Sequence, residues 1–147
     1  MIKLYEIPSS ELPEYVSAAY ENDNELFEKY HVAKCGFKEA VEETVRMIEV
    51  TADLSDVEMR YFGVKEEDVK IGYLCVFQHN LYSFGIAIDK RNKEVLSAFW
   101  QAILEVIGES FITMLYPNNT RAIGWVKRCG MQEVENVEDN CVVLINV

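Results

Sequence analysis

The sequence predicts an α/β (α+β) fold built on a mixed, mostly antiparallel central sheet. Three observations predict it. Strand-like and helix-like periodicities follow one another in the order β-α-α-β-β-β-α-β-α-β-β. The middle stretches "VEMRYFGV", "KIGYLCVF" and "LYSFGIAI" are separated only by short polar turns and read as a β-meander. A helix then crosses from one apolar strand to the next, which implies a parallel pair within the sheet.

The opening "MIKLYEI" alternates apolar and polar residues, as a half-buried strand does. Ser9 and Ser10 offer an N-cap, and Pro13 is tolerated in a first helical turn. Leu12, Val16, Ala19 and Tyr20 then form a stripe at helical spacing, and "ENDNELFEKY" continues or follows that helix. From Phe37 a second helix carries Val41, Thr44, Val45 and Ile48 on one face. "DLSD" turns into the meander, with "KEEDV" and "QHN" as its turns and "LYSFGIAI" as its last strand, running to Ile88.

A helix from Lys93 to Ile107 follows, with Val95, Leu96, Phe99, Trp100, Ile103, Val106 and Ile107 on its apolar stripe and Gly108 as its stop. "SFITMLY" is continuously apolar, the mark of a strand buried on both faces. "PNN" turns and caps a short helix, "TRAIGWVKRC", which Gly130 closes. "MQEVENV" and "CVVLINV", joined at "EDN", complete a terminal hairpin.

Composition bounds the function. A chain of 147 residues fits one domain, residues 1–147, burying about two-thirds of its unfolded surface. Hydrophobic residues make up 50% and aromatic residues 12%, which excludes a disordered chain. A net charge of −11 repels a phosphate backbone, so nucleic acid is not an expected partner. The same charge suits a cationic partner, such as an amine or a basic peptide, or serves solubility alone. Cys35, Cys75, Cys129 and Cys141 have no zinc or CxxC spacing, and Cys75 and Cys141 lie in apolar runs as small hydrophobes. No apolar run approaches ~18 residues and the start lacks the pattern of a signal peptide, so no membrane partner and a cytoplasmic location are expected. No nucleotide-triphosphate loop, metal motif or serine elbow is present.

The element order, with the residues from Leu81 to Val134, resembles the GCN5-related N-acetyltransferase (GNAT) superfamily. The most specific segment is "NNTRAIGWVKRCGMQEV", where Asn119, Ala122, Gly130 and Met131 match the family's asparagine, helical alanine and closing glycine–apolar pair. The resemblance implies transfer of an acetyl group from acetyl-CoA to an amine-bearing small molecule or peptide. It implies that the fourth and fifth strands splay apart to admit the pantetheine arm. The pyrophosphate would rest on N–H groups at the start of the next helix.

Carried over by position, the cofactor residues are Ile86, Ala87 and Ile88 at the strand end, Lys90 and Arg91 in the bend, and Lys93, Val95, Leu96, Ser97 and Ala98 at the helix start, with Asn119 and Ala122 on the later helix. The family's loop signature is Gln or Arg, two residues, Gly, one residue, then Gly or Ala. Lys93 keeps the charge and Ala98 fits the last place, but Leu96 replaces the key glycine and Glu94 adds a repelling charge. Lys90, Arg91 and Lys93 are the cations available to compensate.

The family's usual tyrosine, four residues after the alanine, is Val126 here, which cannot donate a proton. Tyr116 at the end of the fifth strand is the substitute, a phenol whose ordinary pKa near ~10 suits protonation of a thiolate. Glu58 is the expected general base, the carboxylate among the candidates Glu58, Tyr61, Tyr73 and Ser83 on the substrate side of the meander. His79 falls in a turn at the wrong end of the fourth strand, His31 and Cys35 carry no motif, and Trp100 and Trp125 read as packing residues. These departures also match the pattern of catalytically inactive GNAT-fold proteins used for binding or assembly, such as phage virion-associated proteins. The terminal hairpin is a route to a homodimer.

Overall fold

The computed structural model of the chain describes residues 1–26, 36–56, 58–134 and 141–146. The elements are β1 (Ile2–Ile7), α1 (Leu12–Tyr20), α2 (Phe37–Leu54), β2 (Arg60–Glu66), β3 (Val69–Phe77), β4 (Asn80–Ile86), α3 (Lys93–Ile107), β5 (Phe111–Leu115), α4 (Thr120–Arg128), β6 (Gln132–Val134) and β7 (Val142–Asn146). The sheet has seven strands in the order β1-β2-β3-β4-β5-β7-β6. Only β4 and β5 run parallel, because α3 carries the chain back between them; every other neighbour pair is antiparallel. The element order is the one the periodicities predict.

Alternation along the central strands gives the sheet two apolar faces. On β3, Tyr73 and Cys75 face α1 and α2, whereas Leu74 and Val76 face α3. Val16 and Ala19 of α1 and Ala40 and Ile48 of α2 close the first layer. Val95, Phe99, Trp100, Ile103 and Ile107 of α3 close the second, each burial worth roughly 1.5–3 kcal/mol. Two glycines allow close approach: a Cβ on Gly63 would strike the Tyr15 ring, and one on Gly72 would strike the Gly85 carbonyl.

The structure departs from the periodicity in three places. β4 ends at Ile86, not Ile88; the Ala87 N–H still reaches the Ile71 carbonyl at 2.7 Å, and Ile88–Lys90 then coils into a 3-10 turn. β5 is not buried on both faces, since Met114 is 46% exposed where its neighbour strand departs. Phe37 starts α2 at 39% exposed, and Ala40, Thr44 and Ile48 form the buried stripe, with Val41 and Val45 packed against that core. α1 stops at Tyr20, with Asn22 at φ +62°, and a separate helical turn at 24–26 follows it, the second of the two arrangements the sequence allows. The "EDN" turn, His31 and Cys35 lie outside the described residues. Gly108 and Gly130, at φ +91° and +109°, end α3 and α4 as predicted. Among the described residues, no helix is long and apolar enough to cross a membrane, and no three His, Cys, Asp or Glu side chains gather as a metal site.

Candidate functional site

The site begins with a strand pair that does not last. β4 and β5 pair only at Asn80 with Ile112 and Leu81 with Thr113. There the Ile112 N–H donates to the His79 carbonyl at 2.8 Å, and the buried Thr113 hydroxyl donates to the Leu81 carbonyl at 2.7 Å. At the next residue β4 bulges: Val76 pairs with Leu81 and Cys75 with Ser83, so Tyr82 is the extra residue. The bulge bends β4 along β3 while β5 follows β7. A cleft of about 730 Å³ opens between them, walled by β4 from Leu81 to Ile86, the end of β5, α4, and one side each of α1 and α2.

One end of the cleft, at the start of α4, is cationic: Arg91 and Arg121 line it, and Arg128 lines the cleft from the last turn of α4, in a chain whose net charge is −11. Arg121, Trp125 and Arg128 fall at i, i+4 and i+7 on α4 and share one face of that helix. Asp23, completely buried, fastens two of the arginines. Arg121 donates to both its carboxylate oxygens at 3.0 and 2.7 Å, Arg91 to one at 3.2 Å, and the Leu26 N–H to the other at 3.2 Å. Burial alone would raise the Asp23 pKa; the Arg121 hydrogen bonds and the charges of Arg121 and Arg91 outweigh it and hold the carboxyl below its ordinary value. Burial, then the Arg121 charge, pulls the Arg91 guanidinium down. Arg91 is also held by its Nε–H, which donates to the Ile86 carbonyl at 2.8 Å.

The other end is aromatic and hydroxylic. Thr44, Tyr20, Tyr73 and Ser83 form a chain of hydroxyls from α2 to β4, with spacings of 2.7 Å, a long 3.4 Å and 2.8 Å. Burial pushes both phenols up, Tyr73 further than Tyr20, so they stay neutral. The Tyr82 hydroxyl pairs with Thr51 at 2.6 Å, and its ring leans on Phe77. Glu43 on α2 is the one carboxylate among the described lining residues. Arg46 donates to it twice, at 3.1 and 2.7 Å. Between the two ends Trp125 stacks on Phe99 at 5.9 Å and meets Phe84 at 5.6 Å.

Of the residues expected from sequence, Ile86, Arg91, Leu96, Tyr116, Asn119 and Ala122 line this cleft. The others lie elsewhere. Ala87, Ile88 and Lys90 form the turn after β4, and Lys90 pairs with Glu66 at 3.7 Å. Lys93 opens α3 outside the lining, and Val95 is buried in the core. Ala98 faces a shallow groove beside Ile2, Leu4 and Phe62. The Leu96 N–H is bonded to the Asn92 carbonyl at 3.0 Å, so the helix ladder engages the N–H groups from Leu96 through Ser97 and Ala98. Glu58 is exposed just before β2, outside the lining. Val126 is fully buried and turned from the cleft. Asp23, Glu43, Arg121, Trp125 and Arg128 were not expected; the spacing of the last three on one helix was the available signal.

No protein-family model matches the sequence, and no curated protein matches it either. Solved structures do. An acetyltransferase from Thermus thermophilus superposes with a TM-score of 0.69 at 13% identity, over 99% of this chain and 96% of its own. The fold is that of the GNAT acetyltransferases. The PaiA N-acetyltransferase from Thermoplasma acidophilum, solved in complex with coenzyme A, has a TM-score of 0.65 at 14% identity, covering 99% of this chain and 98% of its own. AAC(6')-Ib, in complex with ribostamycin and coenzyme A, has a TM-score of 0.64 at 13% identity, covering 99% and 93%. Within this GNAT fold, the parting of β4 and β5 is the feature that makes a cleft of the sheet.

Proposed function

We propose that this chain transfers an acetyl group from acetyl-CoA to an amine by direct attack, without a covalent enzyme intermediate. The observation that carries the proposal is the β4–β5 cleft of about 730 Å³ with three arginines in its lining, in an otherwise acidic protein. Guanidinium groups match phosphate oxygens in charge and geometry. Arg91 supplies that cationic surface from the glycine-free bend after β4, and Arg121 and Arg128 supply it from α4. The edge of β4 beyond Leu81 is unpaired by β5 among the described residues, which suits the amides of a pantetheine arm. The fit is therefore good for a ligand with an anionic head and an amide-bearing tail.

Acetyl-CoA, when bound, supplies the acetyl group as an activated thioester. The chain's residues do the rest. N–H groups of β4 near the Tyr82 bulge polarise the acyl carbonyl. Tyr116, at the open end of β5, gives its phenolic proton to the departing thiolate. Glu43 replaces the exposed Glu58 as the carboxylate that faces the ammonium and takes its proton. Nitrogen–carbon bond formation and carbon–sulfur bond cleavage then leave an amide and a free thiol; the second proton lost by the nitrogen restores the Tyr116 phenol, and Glu43 releases the first to water.

A second reading has its own support. Asp23 already occupies Arg91 and Arg121, and the Leu96 side chain enters the cleft. Both features suit a GNAT-fold protein that binds or assembles without catalysis, as a virion-associated protein would. Calorimetric titration with acetyl-CoA, with free CoA as comparator, followed by an assay of thiol release with an amine, separates the readings. Binding at about −8 kcal/mol with thiol release supports acetyl transfer. Binding without release across an amine panel supports the second reading. No heat at millimolar ligand contradicts acetyl-CoA use.

A further inference from the structure

We propose that the acceptor is a monoamine with an apolar body, held between α1, α2 and the β3–β4 hairpin. The reaction of that amine rests on the acetyl-transfer reading; its binding does not. The wall of this end is Leu26, Met47, Ile48, Phe77 and Tyr82, all apolar or aromatic surface. Its other polar groups carry no charge: the hydroxyls of Thr44, Tyr20, Tyr73 and Ser83, which bond to one another, the Tyr82 hydroxyl, which pairs with Thr51, and the Asn80 amide. Glu43 is the one carboxylate among the described lining residues, although the chain has 25 acidic residues. Its charge is shared with Arg46.

Charge arithmetic then selects the ligand. A single carboxylate, already shared with Arg46, can offset one ammonium at most. A polyamine or aminoglycoside brings several, and each further ammonium would lose its hydration against apolar wall with no counter-charge. Extending such a ligand along the cleft would bring it to Arg91, Arg121 and Arg128, which repel it. An apolar body instead gains by displacing water from the aromatic wall. The acidic surface of the protein is thus no guide to the acceptor, because its carboxylates point elsewhere.

The test is an NMR-detected titration of the full chain, without acetyl-CoA, using phenethylamine, hexylamine and spermidine. Both monoamines are expected to bind about tenfold or more tightly than spermidine, and to shift the resonances of Met47, Phe77 and Tyr82. Two variants sharpen it. Met47→Glu adds a second carboxylate and should narrow or reverse the preference. Glu43→Gln should weaken phenethylamine and leave phenethyl alcohol, its neutral counterpart, unchanged; it adds no charge to an apolar wall and so serves if Met47→Glu does not fold. Spermidine binding as tightly as the monoamines, or no monoamine shifting these residues, would overturn the proposal. Monoamine binding in a protein that ignores acetyl-CoA would keep this acceptor class and remove acetyl transfer.

Discussion

α3 and α4 each begin on an asparagine whose side chain accepts the N–H three residues on: Asn92 from Val95 at 2.9 Å, and Asn119 from Ala122 at 3.4 Å. Each follows a strand that borders the cleft. Their surroundings nevertheless differ. The first turn of α3 sends Val95 into the core and keeps Lys93 off the cleft, so only Leu96 and Phe99 of that helix reach the lining. The first turn of α4 puts Thr120, Arg121 and Ala122 in the lining, and Trp125 and Arg128 follow. The same capping chemistry makes two helix starts. The direction in which the preceding strand leaves the sheet decides which one faces the cleft.

Breaking the clamp at the α4 end should have the largest effect. Asp23→Asn leaves Arg91 and Arg121 without their shared carboxylate in a half-buried site, at a cost of about 3 kcal/mol by chemical denaturation. The pH dependence follows from the lowered Asp23 pKa. The stability it contributes is complete above the unfolded-state value near ~4 and is lost as pH falls through the lower folded value, because the unfolded chain then binds the proton first. Asp23→Asn should therefore flatten the acid limb of the stability profile. An unchanged acid limb would show that the clamp is not ionised as described.

The two helix starts should also differ in ligand binding. Arg128→Ala on α4 is expected to weaken acetyl-CoA by about tenfold, roughly 1.4 kcal/mol for one exposed charge-assisted contact. Lys93→Ala on α3 is expected to change it less than about twofold. Equal losses would put the anion at both helices. The smallest effects belong to the caps. Asn92→Ala should destabilise by about 1 kcal/mol and Asn119→Ala by about half that, in keeping with the shorter contact at α3.

Much of the fold was legible because it is written in local periods. The bounds of α3, from Lys93 to Ile107, and the glycine stops at Gly108 and Gly130 follow from residue spacing and left-handed backbone alone. The exposure of Met114 was not legible, since it depends on β5 losing β4 as a neighbour after Thr113. The cleft was legible at Ile86, Arg91, Leu96, Tyr116, Asn119 and Ala122, which sit at or near element ends next to the splay. It was not legible at Asp23, because its partners Arg91 and Arg121 lie 68 and 98 residues away in the chain. Glu43 and Glu58 look alike as helix- or strand-surface carboxylates. Only the packing of α2 over the β3–β4 hairpin turns one of them to the cleft.

The most direct test is amide NMR mapping of acetyl-CoA on the intact chain. The expected result is shifts concentrated at Tyr82 to Ile86 on β4 and Thr120 to Ala122 on α4, with Lys93 to Val95 on α3 nearly unmoved. Shifts centred on Lys93 to Val95, or none at saturating ligand, would contradict a cofactor site built on the β4–β5 parting and the start of α4.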